Sequence, residues 1–174
     1  MAMEHTTPPA SYQAAAAPHV ESRRLCEDRL AERAAARARA AYPDTLPNMD
    51  PRRGRVAFLE KNKFELFDQN RDGYLDFDEF WSGEWATFLA FVRPGSCVMT
   101  KAEFMSMNPG ASDAPDSGWS VPGQVQVIER LYAETDIVGK GYISKSDVRA
   151  GALRAFHFSD KRQKGKLSRA DLGL

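Results

Sequence analysis

The twelve residues Asp68–Glu79 (DQNRDGYLDFDE) constrain this chain more than any other stretch. Oxygen-bearing side chains stand at positions 1, 3, 5, 9 and 12, with glycine at position 6 and leucine at position 8. A hard cation such as Ca²⁺ takes about six to eight oxygen ligands at short range, and this spacing lets one loop wrap around one ion. The alternative is an ordinary polar loop with an Asp-Gly turn, which does not require oxygens at all these positions. The stretch therefore predicts a cation-binding loop.

Six residues are predicted to hold the ion, and they are Asp68, Asn70, Asp72, Tyr74, Asp76 and Glu79. Positions 1, 3 and 5 would give side-chain oxygens, and position 7 would give its backbone carbonyl. Position 9 would bind directly or through water, and position 12 would give both carboxylate oxygens. Gly73 is needed at position 6, because the chain turns there with a positive φ that would strain a residue with a Cβ.

Three further stretches repeat this form less completely: 92–103 (VRPGSCVMTKAE), 136–147 (DIVGKGYISKSD) and 160–171 (DKRQKGKLSRAD). We number the four stretches loops 1 to 4 in chain order. Loops 1 and 2 begin 24 residues apart, and so do loops 3 and 4. Position 8 is apolar in all four, where it is Leu75, Met99, Ile143 and Leu167. The common form and spacing predict an internal repeat.

Loop 1 matches the EF-hand pattern at every position, and residues 52–174 resemble the EF-hand superfamily. The short spacing is similar to the compact EF-hand pairs of bacterial proteins. The resemblance implies an all-α fold of two paired lobes, in which the two loops of a lobe join through a short antiparallel β contact at position 8. Leu75 is then expected to pair with Met99, and Ile143 with Leu167.

Loops 2 to 4 lack most of the ligands that a calcium site needs. Loop 2 replaces the first three ligands with valine, proline and serine. Loops 3 and 4 carry Lys140 and Lys164 at position 5, where an ammonium group repels a cation. We expect one Ca²⁺ per chain, in loop 1. Mg²⁺ is the alternative occupant, although a bidentate Glu79 in a flexible loop favours the larger ion.

The remaining sequence divides into segments by composition. They are a disordered tail (1–19), an Ala/Arg-rich helix (20–42), a lobe with the intact loop (52–107), a linker (108–123) and a degenerate lobe (124–174). Within the lobes, helices are predicted over 52–67, 77–91 and 124–135. The apolar positions of 52–67 that we expect to face inward are Val56, Leu59, Phe64 and Phe67.

Two of these helices leave a choice between a packing role and a binding role. The apolar stripe of the Ala/Arg-rich helix is thin, which favours a loosely packed helix over a partner-docking one. The helix over 77–91 carries an aromatic stripe of Phe77, Phe80, Trp81, Trp85, Phe88 and Phe91. Such a stripe is more often core than ligand pocket, although with Met99, Met105 and Met107 it could line an apolar groove.

The formal net charge is zero, so the composition gives no argument for nucleic-acid or membrane binding, and no apolar run is long enough to span a bilayer. Basic residues dominate 140–169, and Lys140 and Lys164 are expected to face solvent, where they could meet an acidic surface or simply be solvated. Cys26 and Cys97 are predicted to be free thiols rather than one disulfide. The scattered histidines suggest no zinc site.

These observations predict a calcium-binding protein with one occupied site that acts in calcium-dependent protein interaction or sensing. The alternative is a structural subunit or adaptor of a larger assembly, with a permanent calcium ion. A protein partner is expected, and no nucleophile–base arrangement or phosphate-binding loop suggests an enzyme. The sequence as it stands favours the cytoplasm, and export would apply if a signal peptide was removed.

Overall fold

The computed structural model describes residues 28–46, 50–106, 124–136 and 138–174, and they are mainly helical, as predicted. In chain order the elements are α1 (Arg29–Ala41), α2 (Pro51–Lys61), α3 (Lys63–Phe67), β1 (Tyr74–Asp76), α4 (Phe77–Phe91), β2 (Met99–Thr100), α5 (Lys101–Ser106), α6 (Gln124–Thr135), β3 (Tyr142–Ile143), α7 (Lys145–Ser159), β4 (Lys166–Ser168) and a 3₁₀ turn (Ala170–Leu172). The predicted tail over 1–19 and linker over 108–123 lie outside the described residues.

Two helices of 15 residues each, α4 and α7, form the centre of the fold. Each begins with a reciprocal capping box, Asp76 with Glu79 on α4 and Ser144 with Asp147 on α7. These caps satisfy backbone N–H groups of the first turn, which have no partner within the helix. The bounds of α4 confirm the helix predicted over 77–91. Its aromatic stripe packs in the core, where Trp85 is fully buried.

The strand pairing differs from the predicted one. Leu75 of β1 lies opposite Leu167 of β4, and Met99 of β2 lies opposite Ile143 of β3, both in antiparallel pairs. The predicted pairs, Leu75 with Met99 and Ile143 with Leu167, are wrong. The reason is geometric, because β1 and β2 lie at opposite ends of α4, which is about 22 Å long at 1.5 Å per residue. Neighbouring strands must lie about 4.8 Å apart, so β1 and β2 cannot meet.

The two strand pairs require α4 and α7 to run antiparallel. The start of α4 meets the end of α7 at the β1–β4 pair, and the end of α4 meets the start of α7 at the β2–β3 pair. Phe156 near the end of α7 makes edge-to-face contacts with Phe77 and Phe80 at the start of α4, at centroid distances of 5.5 and 5.6 Å. Each strand pair therefore joins one half of the described chain to the other.

The N-terminal helix packs more tightly than predicted, and residues 20–27 of its predicted span lie outside the described residues. Within the predicted span 20–42, α1 begins at Arg29, after Asp28 caps its first turn through the amides of Leu30 and Ala31. One face of α1 is almost fully buried, and it consists of Ala31, Ala34, Ala35 and Ala38. Small side chains let helix axes approach closely, so a stripe without large residues can still form a dense contact. The prediction of a loosely packed helix is wrong.

The helix predicted over 52–67 is divided into α2 and α3 at Asn62, whose amide nitrogen bonds to the Phe58 carbonyl. Asparagine side chains readily bond to nearby backbone groups, which weakens the preference for a continuous helix. Leu59, Phe64 and Phe67 are buried as expected, whereas Val56 is only half-buried. After this interruption, α3 leads into loop 1.

Two arginines satisfy the backbone carbonyls at the end of α4. Arg39 of α1 donates to the carbonyls of Leu89 and Val92, and Arg55 of α2 lies 3.5 Å from the carbonyl of Ala90. Burial, with the nearby charge of Arg55, lowers the pKa of the Arg39 guanidinium. The last carbonyls of a helix have no intrahelical donor, so these guanidinium groups provide the missing partners.

Cys97, at position 6 of loop 2, is disulfide-bonded. The chain contains one other cysteine, Cys26, which lies outside the described residues. The prediction that both cysteines are free thiols is therefore wrong. A disulfide requires the two Cα atoms to lie within about 7 Å, and the sequence does not give that distance for cysteines far apart in the chain.

Candidate metal-binding site

Loop 1 begins directly after α3, passes through β1 and ends in the first turn of α4. The φ angles at positions 4 and 6 are positive, +57° at Arg71 and +80° at Gly73. Left-handed backbone at both positions coils the chain tightly, and Gly73 has the residue type that tolerates it best. The predicted requirement for glycine at position 6 is confirmed.

The carboxylate of Asp68 holds the first half of loop 1 together. Its two oxygens accept hydrogen bonds from the backbone N–H groups of Asp72 (3.2 Å) and Gly73 (2.9 Å). The amide oxygen of Asn70 also accepts from the N–H of Asp72, at 2.9 Å. The side chains at positions 1 and 3 thus both bond to the backbone N–H of position 5.

The carboxylate of Glu79 closes the loop from the other end. Glu79 is only 7% exposed, and its oxygens accept from the N–H groups of Gln69 (2.9 Å) and Asp76 (3.1 Å). Asp76 in turn accepts from the N–H of Glu79 at 2.9 Å. Glu79 therefore connects position 2 with position 9 and lies beside both halves of the loop.

Loops 3 and 4 have the same hydrogen bonds at their first position. Asp136 accepts from the backbone N–H groups of Lys140 and Gly141, and Asp160 accepts from those of Lys164 and Gly165, all within 2.9 Å. At the other end of every loop, the N–H at position 9 donates to the carboxylate at position 12. These bonds join residues 76 to 79, 100 to 103, 144 to 147 and 168 to 171, at 3.1, 2.9, 2.8 and 2.8 Å.

Loops 2 to 4 also contain an ion pair at their last position. The Lys140 ammonium nitrogen lies 2.7 Å from Asp147, and the Lys164 nitrogen lies 3.1 Å from Asp171. In loop 2 the Arg93 guanidinium lies 3.1 Å from Glu103. A basic side chain thus neutralises the position-12 carboxylate in each of these loops.

The pKa values of these carboxylates reflect the contacts. Burial opposes the shift, but hydrogen bonds from Lys140 and Ser144 lower the pKa of Asp147. Bonds from Ser168 and Lys164 hold the pKa of Asp171 well below its usual range. Burial again opposes the shift at Glu103, where bonds from Thr100 and Arg93 lower the pKa. All three carboxylates are therefore stabilised in their charged form.

Lys164 is an exposed residue, as expected, whereas Lys140 is only partly exposed, and the ammonium groups of both form ion pairs. Their side chains are 24% and 32% exposed and point back into their own loops. Other basic residues of this half cover aromatic rings: Arg149 lies over Trp81 at 5.5 Å, and Arg169 lies over Phe64 at 4.7 Å. Much of the basic charge between residues 140 and 169 thus has partners within the fold. These contacts were not predicted from the sequence, although positions 5 and 12 of one loop both face its centre.

Loop 1 differs from the other loops in its ion pairs. In the part of the chain that the structure describes, no lysine, arginine or histidine forms an ion pair with Glu79. The nearest basic contact to the loop is Lys166 of β4, whose Nζ lies 3.7 Å from Oδ2 of Asp72. Among the described residues, no three His, Cys, Asp or Glu side chains converge closely enough to form a metal cluster. The loop carboxylates instead bond to backbone amides.

An apolar groove of about 280 Å³ lies at the other end of the central helices. Its lining includes Phe88 and Phe91 of α4, Met99 of β2, Phe104 of α5 and Val148 of α7. The groove thus combines part of the aromatic stripe with one of the predicted methionines. Met107 lies outside the described residues.

Comparison of the chain with protein-family models, with curated proteins and with solved structures found no match in any of the three. Within the described segments, no helix combines the length and the apolar character needed to cross a bilayer.

Proposed function

We propose that loop 1 binds one calcium ion and that the chain is an EF-hand protein with one metal-binding loop and three loops that fold without metal. The ligands would be Asp68, Asn70, Asp72, Tyr74, Asp76 and Glu79. The proposed role is calcium-dependent interaction with a protein partner.

One observation carries this proposal: the buried carboxylate of Glu79 has no basic partner among the described residues, whereas the position-12 carboxylate of every other loop has one. Burial of an anion without a counter-charge is costly. In loops 3 and 4 the ammonium group of a lysine meets that need from position 5. Loop 1 has Asp72 at that position, so its own residues add negative charge instead. A divalent cation would supply the missing positive charge.

The donor set fits calcium in chemical type. It consists of carboxylate, amide and carbonyl oxygens, which hard cations prefer, and it contains no sulfur or imidazole ligand. The backbone coil with positive φ at positions 4 and 6 recurs at residues 139 and 141 in loop 3. Position 8 pairs with position 8 in both strand pairs. These features support assigning the four loops to one type.

Calorimetric titration of the metal-free protein with Ca²⁺ in excess Mg²⁺ tests the site. We expect one ion per chain, and we expect Glu79→Gln to lose most of the binding because it removes a ligand charge. Glu103→Gln is the matched control, since it makes the same change at position 12 of loop 2. Absence of binding by the unmodified protein, or equal loss in both variants, would contradict the proposal.

The apolar groove supports an interaction role over a purely structural ion. A calcium sensor changes the exposure of an apolar surface between two states. The groove borders α4, the helix that begins in loop 1. Calcium bound at one end of α4 would therefore act on the element whose other end lines the groove.

Fluorescence of the α4 tryptophans separates the two roles. If calcium shifts the position of α4, the emission of Trp81 and Trp85 should change on titration, with half-saturation at about 10⁻⁷–10⁻⁵ M. A saturable calorimetric signal without any spectral change, or with half-saturation near about 10⁻³ M, would instead favour the permanent structural ion.

A further inference from the structure

We propose that Lys166 of loop 4 lowers the calcium affinity of loop 1, because it places a competing positive charge beside the ligands Asp72 and Asp76. This inference rests on the proposed function, because it concerns the strength of binding at that same site. It assigns a regulatory position to a residue outside the twelve that bind the ion.

The β1–β4 pair places Lys166 beside the proposed ligands. In the antiparallel register, Lys166 lies directly opposite Asp76, the ligand at position 9. Residues opposite each other in such a pair have Cβ atoms only about 4.5–5.5 Å apart. The strand pairing therefore places Lys166 next to loop 1, whichever rotamer the lysine side chain adopts.

The side chain of Lys166 turns toward loop 1. Its ammonium nitrogen lies 3.7 Å from Oδ2 of Asp72, the ligand at position 5. The same nitrogen lies 4.0 Å from the centre of the Tyr74 ring, at position 7. A cation over an aromatic face is held by electrostatic attraction, so Tyr74 helps to orient the lysine.

The other lysine of this part of loop 4 is already neutralised. Lys164 pairs with Asp171 within its own loop, and its nitrogen lies farther from Tyr74, at 5.8 Å. Lys166, by contrast, forms its ion pair with loop 1. Loop 4 thus pairs Lys164 with its own carboxylate and presents Lys166 to loop 1.

A positive charge in this position opposes the binding of a cation. It weakens the attraction between Asp72 and the ion, and it repels the ion itself. The contact is about half-exposed, with side-chain exposures of 43% and 41%, so water and salt moderate the effect. We expect a change of about 1.5- to fivefold in Kd, which corresponds to the range for charge contacts near a protein surface.

Calorimetric Ca²⁺ titration of four proteins tests the inference: the unmodified chain, Lys166→Met, Lys166→Arg and Lys161→Met. Lys166→Met keeps the apolar stem but removes the charge beside Tyr74, so Kd should fall by about 1.5- to fivefold. Lys166→Arg keeps the charge and should leave Kd near the original value. Lys161→Met makes the same charge change elsewhere in loop 4, at an exposed residue, and should have little effect. Raising the salt concentration to about 1 M should reduce the difference between Lys166→Met and the unmodified protein.

Equal Kd values for the Lys166→Met and Lys161→Met variants would overturn the inference, because only the net charge would then matter. A weaker affinity in Lys166→Met would also overturn it, since the lysine would then support the loop through Tyr74. Both results require that the unmodified protein binds calcium. A complete lack of binding would instead contradict the proposed function.

Discussion

Leu75 and Leu167 lie directly opposite each other in the β1–β4 pair, and neither has any solvent-exposed surface. One belongs to the loop proposed to bind calcium, and the other belongs to a loop proposed to fold without it. Their contact fixes the two loops side by side.

Leu167→Ala should lower the free energy of unfolding by about 2–4 kcal/mol, because it leaves a cavity in the core. Urea unfolding measured in the absence of calcium provides the test. Leu153→Ala is the control: Leu153 is 43% exposed, so its truncation should cost less than about 1 kcal/mol. Similar losses in both variants would show that the Leu75–Leu167 contact contributes no more than a surface residue.

Two glycines within helices should respond in opposite ways to alanine. A Cβ on Gly54 of α2 would overlap the ring of Tyr42, so Gly54→Ala should destabilise the protein by about 1–3 kcal/mol. A Cβ on Gly151 of α7 would meet nothing closer than the Arg154 guanidinium, at 3.9 Å. Gly151→Ala should therefore stabilise the protein by about 0.5–1 kcal/mol, as a helix interior favours alanine. Thermal unfolding of both variants measures the contrast, and shifts of the same sign would contradict it.

Lys63 is 4% exposed and pairs with two carboxylates, Glu60 at 3.1 Å and Glu84 at 3.0 Å. Burial alone would lower the pKa of the ammonium group, but attraction to Glu84 and Glu60 outweighs it and raises the pKa. Because the pKa of Lys63 is raised in the folded state, the stabilisation from its ion pairs is complete at neutral pH. It should be lost only as the pH rises above about 10.5 and through the folded value.

The same ion pairs should respond asymmetrically to mutation. Lys63→Met leaves two carboxylates that are 45% and 30% exposed and can be hydrated, so the free energy of unfolding should change by less than about 1 kcal/mol. The double variant Glu60→Gln with Glu84→Gln leaves a buried ammonium group without a counter-charge and should cost about 3 kcal/mol. Urea unfolding at neutral pH compares them, and an equal cost would argue against this asymmetry.

Loops 2 to 4 should contribute to acid unfolding. The pKa values of Glu103, Asp147 and Asp171 are lowered in the folded state. Their contribution to stability is therefore complete above the ordinary carboxyl pKa of about 4, and it is lost as the pH falls below that value. Urea unfolding from pH 6 to pH 2, without calcium, should show this decline.

Lys140→Met should make the acid decline less steep, because Asp147 then loses the partner that favours its charged form. Lys161→Met carries the same charge change on an exposed residue and should keep the original pH dependence. If both variants followed the unmodified protein, the Lys140–Asp147 pair would have no thermodynamic role.

The helices with strong local signals could be predicted from the sequence. For α4, Asp76 and Glu79 form the capping box at the start, and the aromatic residues recur at helical spacing up to Phe91. The bounds of α6, Gln124–Thr135, also agree with the prediction. The interruption at Asn62 was not predicted, because it falls inside an otherwise helical pattern.

The predicted strand pairing is wrong because it follows from the resemblance to paired EF-hands, in which the two loops of one lobe pair with each other. The sequence already contained the contrary information, since a 15-residue helix between loops 1 and 2 keeps their strands apart. The close packing of α1 was harder to foresee. An alanine face contributes little to a hydrophobic stripe, and its burial depends on the surface of α4 that receives it.

Only part of the conformation of the candidate site could be predicted from the sequence. Glycine at position 6 and the apolar residue at position 8 follow from loop 1 itself. The ion pairs of Lys140 and Lys164 follow from the coil of each loop, which brings position 5 near position 12. The contact of Lys166 with Asp72 could not be predicted, because it requires the β1–β4 pair that the sequence analysis assigned differently.

The crossed strand pairing has a consequence for how this chain unfolds. Residues 52–106 supply β1 and β2, and residues 124–174 supply β3 and β4. Each strand pair takes one strand from each segment, so neither segment alone can form the hydrogen bonds between strands. Such an arrangement favours a single cooperative transition over the stepwise melting of two independent domains. The two segments, produced as separate peptides, should stay largely unstructured alone and recover helical structure only when mixed.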